Sequence, residues 1–184
     1  IALVKGAQQL GYEFLEKDFN KVTIKDYITN TLTEWEILAL IPFDSDRKRM
    51  SVIAKKKKTQ KIFLLSKGSD GIMLKGVPPH PAVITQYASP QEKININRVL
   101  DSFSKEGLRI LVMGYKEISQ QYFSSWIEKH DAARKRSEDL LKKVYDEVES
   151  DLFFVGCSAI EDKLQAGVPE TIESLMRCGI RIWV

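Results

Sequence analysis

The residues best suited to chemistry lie in one short segment, FDSDRKRMSVI, which runs from Phe43 to Ile53. The ring of Phe43 comes shortly before three cations, Arg47, Lys48 and Arg49. A solvated hairpin needs no aromatic ring at its bend, whereas a nucleotide site uses a ring to stack on the base and cations to pair with phosphates. The segment therefore indicates an anion-binding site, and a nucleotide is the ligand that would use both residue types.

Familiar catalytic and metal-binding patterns do not occur in the sequence. It contains no GxSxG, HExxH or GxxxxGK[ST] pattern, and His80 and His130 have no obvious Ser or Cys partner. Cys157 and Cys178 lack CxxC or Cys/His spacing, which favours buried free thiols in a reducing, cytosolic setting. We therefore predict no catalytic residue and no metal ligand in this chain.

Composition is that of an ordinary soluble globular protein. The chain has 184 residues, of which 43% are hydrophobic and 29% charged, and this length predicts one domain with an appendage. The net charge of +3 argues only weakly for nucleic acid or anionic lipid as a partner. The longest apolar runs, such as LFFVG and IRIWV, are far shorter than the roughly 20 residues of a membrane-spanning helix. A first residue other than Met suggests a piece of a longer protein.

Alternating hydrophobicity predicts an α/β (α+β) fold with a twisted, mainly antiparallel sheet flanked by helices. Period-two segments follow one another with short links: YEFLEKD, KVTIKDY, EWEILALI, RMSVIAKK and KIFLLSKG. The KKKKTQK tract between the last two is read as a solvated hairpin loop, with a lipid or nucleic-acid patch as the alternative. Ser89, Pro90 and Glu92 form the capping box of a helix, and a long amphipathic tract covers residues 119–149.

Four ordered segments resemble the nucleotide-binding domain of P-type ATPases, and specifically the phospholipid-flippase subfamily. They are FDSDRKRMSVI, SKGSDGIML, EGLRILVMGYKEIS and AIEDKLQAGVPETIESLMRCGIRIWV, which together cover the chain nearly end to end. The resemblance implies an N-terminally truncated nucleotide-binding domain over residues 1–160. Residues 161–184 would form the hinge, near Asp162, and the start of the phosphorylation-domain segment.

The resemblance also assigns site residues. Phe43 matches the residue that stacks on adenine, and Ser45 and Lys48 lie in the same motif. Since side chains alternate across a strand, the three neighbouring cations cannot all face one ligand, and Lys48 is our choice for the inward one. A core position for the Phe43 ring and a surface position for Lys48 are the alternatives.

Two further motifs complete the expected site. Lys67 and Gly68 stand in the family's KGA signature, here KGS, where the lysine faces the purine and phosphates and the glycine leaves room for approach. Arg109, in EGLR, matches an arginine that contacts the phosphates. A surface position for Lys67 and a salt bridge for Arg109 are the alternatives.

In an intact protein, the resemblance implies that this cytosolic domain presents ATP to a phosphorylatable aspartate and that the cycle moves phospholipid between leaflets of a membrane. The DKTGT motif that carries the aspartate does not occur here, so we expect ATP binding without hydrolysis. Implied partners are ATP, Mg²⁺ with ligands mostly outside this chain, and the phosphorylation and actuator domains of the same polypeptide. An accessory membrane subunit is a further candidate, and nucleic acid is not expected.

Two other functions remain open at this point. The domain could belong to another P-type subfamily that pumps cations or polyamines, or the chain could be a noncatalytic module that binds anionic lipid or RNA. Two structural expectations follow as well. Pro42 lacks an N–H and predicts an edge or a bulge in its strand. The apolar segment IRIWV is expected to dock against the domain surface or a neighbouring molecule, because an exposed apolar strand rarely stays ordered alone.

Overall fold

The computed structural model describes residues 2–76, 81–161 and 163–183. These residues form one sheet and the helices around it. The strands are β1 (Tyr12–Asp18), β2 (Lys21–Asp26), β3 (Thr31–Asp44), β4 (Arg49–Lys56), β5 (Ile62–Gly68), β6 (Ile84–Gln86), β7 (Arg109–Ile118) and β8 (Leu152–Ile160). The helices are α1 (Ala2–Gln9), α2 (Pro90–Lys105), α3 (Gln120–Arg134), α4 (Glu138–Val148) and α5 (Val168–Arg177), with one π-helical turn at Gly71–Lys75.

The described strands form a mainly antiparallel sheet, as the sequence predicted, in the order β1-β2-β3-β4-β5-β7-β8-β6. Each neighbouring pair is antiparallel except β6 and β8, which run parallel. The predicted charged hairpin loop is present, because β4 ends at Lys56 and β5 begins at Ile62 with exposed residues between them. Short links between successive strands leave little choice but antiparallel pairing.

The core lies between one face of the sheet and the helices α3 and α4. Ile53 of β4 pairs with Leu64 of β5, and both side chains are fully buried in one cluster with Trp126 of α3 and Val148 of α4. The indole Nε1 of Trp126 donates a 3.0 Å hydrogen bond to the carbonyl of Val144. This bond satisfies a buried polar group and holds the two helices together behind the sheet.

Helix caps follow the sequence closely. Ser89 Oγ accepts a 3.1 Å hydrogen bond from the N–H of Glu92, as the capping box predicted. The amphipathic tract 119–149 is not one helix but two, because Ser137 Oγ caps the second by accepting from the N–H of Leu140. Among the described residues, no helix combines the length and apolar character that crossing a bilayer requires.

The expectation that the IRIWV segment docks on the domain surface is wrong for its described part, whereas docking against a neighbouring molecule remains a prediction. Residues 180–183 form no strand, and the side chains of Ile180, Ile182 and Trp183 are 51%, 39% and 88% exposed. α5 likewise contains no buried residue among those described. A strand of this kind needs partners on both sides, and the described part of the chain provides none at this position.

Candidate nucleotide-binding site

A bulge near the end of β3 determines where Phe43 points. The pairing of β3 with β4 shifts register between Ile41 and Asp44, at the place where Pro42 predicted an irregularity. Ile41 is fully buried in the core, and the Asp44 carboxylate lies 3.6 Å from the Lys142 ammonium of α4. Both residues therefore face the helices, and Phe43, which precedes Asp44, lies on the opposite face with 62% of its surface exposed.

The turn between β3 and β4 is held by its own first residue. The Asp44 carboxylate accepts hydrogen bonds of 2.8 Å and 2.9 Å from the N–H groups of Asp46 and Arg47. The Arg47 N–H, then that of Asp46, and the nearby ammonium of Lys142 lower the pKa of Asp44 below its ordinary value, against the effect of partial burial. The ionised carboxylate thus stabilises the bend that follows Phe43.

The predicted cations separate onto different sides of this turn. Arg47 and Arg49 are each only 2% exposed and face α4, whereas Lys48 is exposed. This confirms that the three cations cannot share one ligand. The sequence interpretation placed all three in a strand, but only Arg49 lies in one; Arg47 and Lys48 lie in the turn, and Lys48 has a φ of +49°. Ser45 is exposed in the same turn, and contact of Ser45 or Lys48 with a ligand remains a prediction.

Lys67 lines a cavity on the face of the sheet opposite the core. The cavity measures about 510 Å³. Lys67 lies between Met50 of β4 and Met113 of β7 in the strand register. The lining is otherwise apolar or small: Leu40, Met50, Ser51, Val52, Leu65, Ser66, Met113, Gly114 and Val155. An apolar pocket with a single cation among its described lining residues suits a flat, weakly polar ring carrying an anionic group.

Gly68 has a structural role that the sequence did not reveal. It pairs with Arg49 and Val112, and a Cβ at this position would come within 2.7 Å of Arg49 Cβ and 2.8 Å of the Lys48 carbonyl oxygen. Only glycine allows the end of β5 to approach the β3–β4 turn this closely. The glycine is buried on the helix side. Its predicted effect on the approach of a ligand remains a prediction.

Arg109 is the first residue of β7 and is exposed. It precedes Met113 by four residues on the same strand, so alternation places both on the cavity face. The structure thus brings Phe43, Lys67 and Arg109 to one face of the sheet. Among these three, Lys67 lines the cavity, whereas Phe43 and Arg109 lie on the flanking strand ends. Asp162, the predicted hinge, lies outside the described residues.

The sequence interpretation missed the buried partners of Arg47 and Arg49. Both guanidinium groups contact Glu149, which follows α4 about 100 positions further along the chain and is 1% exposed. A pair of arginines two residues apart was the only local signal. Their partner could not be identified because nothing in the sequence links that turn to the end of α4.

Comparison with known proteins identifies the family. The family model described as P-type ATPase, cytoplasmic domain N, matches residues 1–167. The chain belongs to this family. The resemblance inferred from the four motifs is therefore confirmed, and the α/β sheet with its flanking helices is the fold of this N domain.

Curated relatives of this N domain are phospholipid-transporting ATPases. The human phospholipid-transporting ATPase IC is 39% identical over 186 residues, which cover all of this chain and 14% of that protein. Phospholipid-transporting ATPase FetA of Mus musculus is 36% identical, and phospholipid-transporting ATPase 2 of Arabidopsis thaliana is 34% identical, each over the whole chain. The N domain spans about 15% of the length of FetA.

Proposed function

We propose that this N domain binds ATP on the open face of its sheet and presents the nucleotide to a phosphorylatable aspartate elsewhere in a phospholipid-transporting ATPase. The observation that carries the proposal is the placement of Phe43, Lys67 and Arg109 on one face of the sheet, where Lys67 lines an apolar cavity of about 510 Å³. Cavities that bind small molecules typically measure about 300–1,000 Å³, so the space suits a nucleoside.

Each part of the nucleotide has a candidate partner. Adenine would enter the apolar cavity and stack on the Phe43 ring, and its edge would meet the Lys67 ammonium. Arg109, at the start of β7, would pair with the phosphates, where a planar guanidinium suits an anion. Ser45 and Lys48, both exposed in the turn beside Phe43, would provide secondary polar contacts.

This arrangement supplies position rather than bond-breaking chemistry. Phosphoryl transfer in such enzymes depends mainly on placing and neutralising the phosphate groups. The DKTGT segment that would accept the phosphoryl group does not occur in the sequence, so this chain should bind ATP without turning it over. Among the described residues no group of three or more His, Cys, Asp or Glu side chains could hold a metal ion. We therefore assign Mg²⁺ to the bound phosphates and to ligands of the phosphorylation domain.

The remaining assignments concern the intact protein. We propose a cytosolic domain of a membrane-embedded ATPase, residues 1–160 forming the N domain and residues 161–184 leading through a hinge near Asp162 into the phosphorylation domain. Its partners would be the phosphorylation and actuator domains, with an accessory membrane subunit as a further candidate. The relatives are phospholipid-transporting ATPases, which supports phospholipid as the transported substrate.

Titration of ATP into the 184-residue chain tests the proposal. We expect a dissociation constant of roughly 0.1 to several mM, equivalent to about 4 to 5.5 kcal/mol, and no release of phosphate. Lys67→Met keeps the length of the side chain but removes the ammonium, and should weaken ATP about tenfold. Lys58→Met, in the exposed hairpin loop, is the matched control and should have no effect.

Salt dependence separates this function from the alternative of a polyanion-binding module. A protein that binds RNA or anionic lipid through the KKKK tract loses affinity steeply as salt rises. A nucleotide that stacks in a pocket loses less. Steep salt dependence together with sensitivity to Lys58→Met would overturn the proposed function.

A further inference from the structure

A buried cluster of charges lies directly behind the β3–β4 turn. The Glu149 carboxylate accepts a 2.7 Å hydrogen bond from Arg49 Nε and a 2.5 Å hydrogen bond from the Ser51 hydroxyl. Arg47 Nη1 lies 3.1 Å from Glu149 Oε2 as an ion pair, and Arg47 Nη2 donates a 3.5 Å hydrogen bond to Glu149 Oε1. Arg49 also pairs with Asp146, one turn earlier in α4.

Burying these charges costs free energy, so removing one of the charged partners should have effects beyond lost packing. Glu149 is the C-cap of α4, where the negative end of the helix dipole disfavours a carboxylate. The two buried guanidinium groups compensate this charge, and the Arg47 guanidinium also lies 5.0 Å from the Tyr145 ring centroid. Neutralising one partner would leave buried charge without compensation.

The two arginines connect this cluster to the residues proposed to bind ATP. They flank Lys48 in sequence, and the Lys48 carbonyl accepts a 3.0 Å hydrogen bond from the N–H of Ser69, next to Gly68. The Arg47 N–H in turn binds the Asp44 carboxylate, which directly follows Phe43. The turn therefore has its anchor on the helix side, whereas Phe43, just before it, lies on the opposite face.

We propose that Glu149 is a positioning residue for nucleotide binding. Through Arg47 and Arg49 it fixes the β3–β4 turn, and thereby the Phe43 ring on the cavity face of the sheet. The inference rests on the proposed function, since it assigns to Glu149 an effect on that same site. Glu149 touches no nucleotide in this scheme, because it is buried on the opposite side of the sheet.

Glu149→Gln in the 184-residue chain is the primary test. Because the turn directly follows the strand end that carries the adenine-stacking ring, AMP and ATP should both weaken about tenfold, a size typical of coupled neighbours. In the Phe43→Ala background the same substitution should weaken either nucleotide less than about twofold, because the stack that it positions is already gone. Val148→Ala, adjacent and fully buried in the core, is the control for general loss of stability.

A ligand-independent measurement accompanies the titrations. Hydrogen exchange of the Ser69 amide reports directly on the Lys48–Ser69 bond, and it should accelerate in Glu149→Gln but not in Val148→Ala at matched Tm. If Glu149→Gln does not fold, Ser51→Ala removes one donor to the carboxylate and keeps all charges. Its matched control is Ser150→Ala, which removes a hydroxyl that donates to the carbonyl of Glu147 and not to the Glu149 carboxylate.

Different outcomes would contradict the positioning role of Glu149 and the proposed ATP binding on which it rests. Equal weakening by Glu149→Gln and Val148→Ala at matched Tm, or an undiminished effect of Glu149→Gln in the Phe43→Ala background, would overturn the positioning role alone. In the fallback pair, equal effects of Ser51→Ala and Ser150→Ala would do the same. A wild-type chain that binds no adenine nucleotide would overturn the proposed function and this inference with it.

Discussion

The carbonyl oxygen of Lys48 accepts a 3.0 Å hydrogen bond from the backbone N–H of Ser69. This bond joins the β3–β4 turn, which follows Phe43, to the end of β5, which carries Lys67 and Gly68. Because both ends are also held by the β4–β5 ladder, where Arg49 pairs with Gly68, the two motifs lie in a fixed register. The two candidate base contacts, Phe43 and Lys67, come from separate parts of the sequence and are thus held in one frame.

Phe43→Ala should weaken ATP, ADP and AMP by the same factor. An aromatic stack on a base contributes about 1–3 kcal/mol, so the dissociation constants should rise between about fivefold and 150-fold. Calorimetric or NMR titration of the three nucleotides measures this. Phe19→Ala, which removes a ring that is 95% exposed in the β1–β2 turn, is the control and should leave all three unchanged. A loss confined to ATP would contradict the assignment of Phe43 to the base.

Arg109→Ala should weaken ATP and ADP but spare AMP, because its guanidinium is assigned to the outer phosphates. A hydrogen bond to a charged group contributes about 1.5–3 kcal/mol, which corresponds to a loss of about tenfold or more. Arg98→Ala removes an exposed arginine from α2 and serves as the matched control in the same titrations. If AMP weakens as much as ATP, Arg109 does not contact the outer phosphates.

Local patterns in the sequence predicted much of the sheet and its capped helix. Alternation over RMSVIAKK and KIFLLSKG identified β4 and β5, because one face of each strand is buried. The bulge at Pro42 was predicted because proline cannot donate to a ladder. The three-residue strand β6 was not predicted, because Ile84–Gln86 is too short to show a periodic pattern of hydrophobicity.

Contacts between distant residues could not be predicted in the same way. The Arg49–Glu149 ion pair joins positions 100 residues apart, and no spacing rule connects them. The burial of Gly68 could not be predicted either, because it results from the close approach of Lys48 and Arg49, at the start of β4, to the end of β5. The motif resemblance supplied the candidate site residues, whereas the register of the strands explains how they reach one face.

Gly68→Ala should lower stability through overpacking. The added Cβ would lie 2.7 Å from Arg49 Cβ and 2.8 Å from a backbone oxygen, so the strands must separate. Overpacking of this kind costs about 1–3 kcal/mol, and each kcal/mol lowers the Tm of a domain of this size by about 2–4 °C. Thermal unfolding followed by circular dichroism measures the change. Gly71→Ala is the control, because a Cβ there meets no atom within 4 Å; equal Tm values for the two variants would contradict the close approach.

Asp44→Asn should lower stability at neutral pH and leave it little changed in acid. The N–H of Arg47, first among the causes, lowers the folded-state pKa of Asp44 below its ordinary value. The stabilisation is therefore fully present above the unfolded-state pKa of about 3.9 and is lost as pH falls through the lower folded-state pKa. Asparagine retains an acceptor oxygen but no charge, so the variant should lose about 1 kcal/mol at pH 7. Urea unfolding from pH 7 to pH 3 measures the difference between variant and wild type, which should shrink below about pH 4.

Asp46→Asn is the control. It removes a carboxylate of the same turn that lies 3.2 Å from the Lys142 ammonium, and so separates this effect from the ion pair with α4. A difference between Asp44→Asn and wild type that stays constant down to pH 3 would show that the charge of Asp44 does not stabilise the turn.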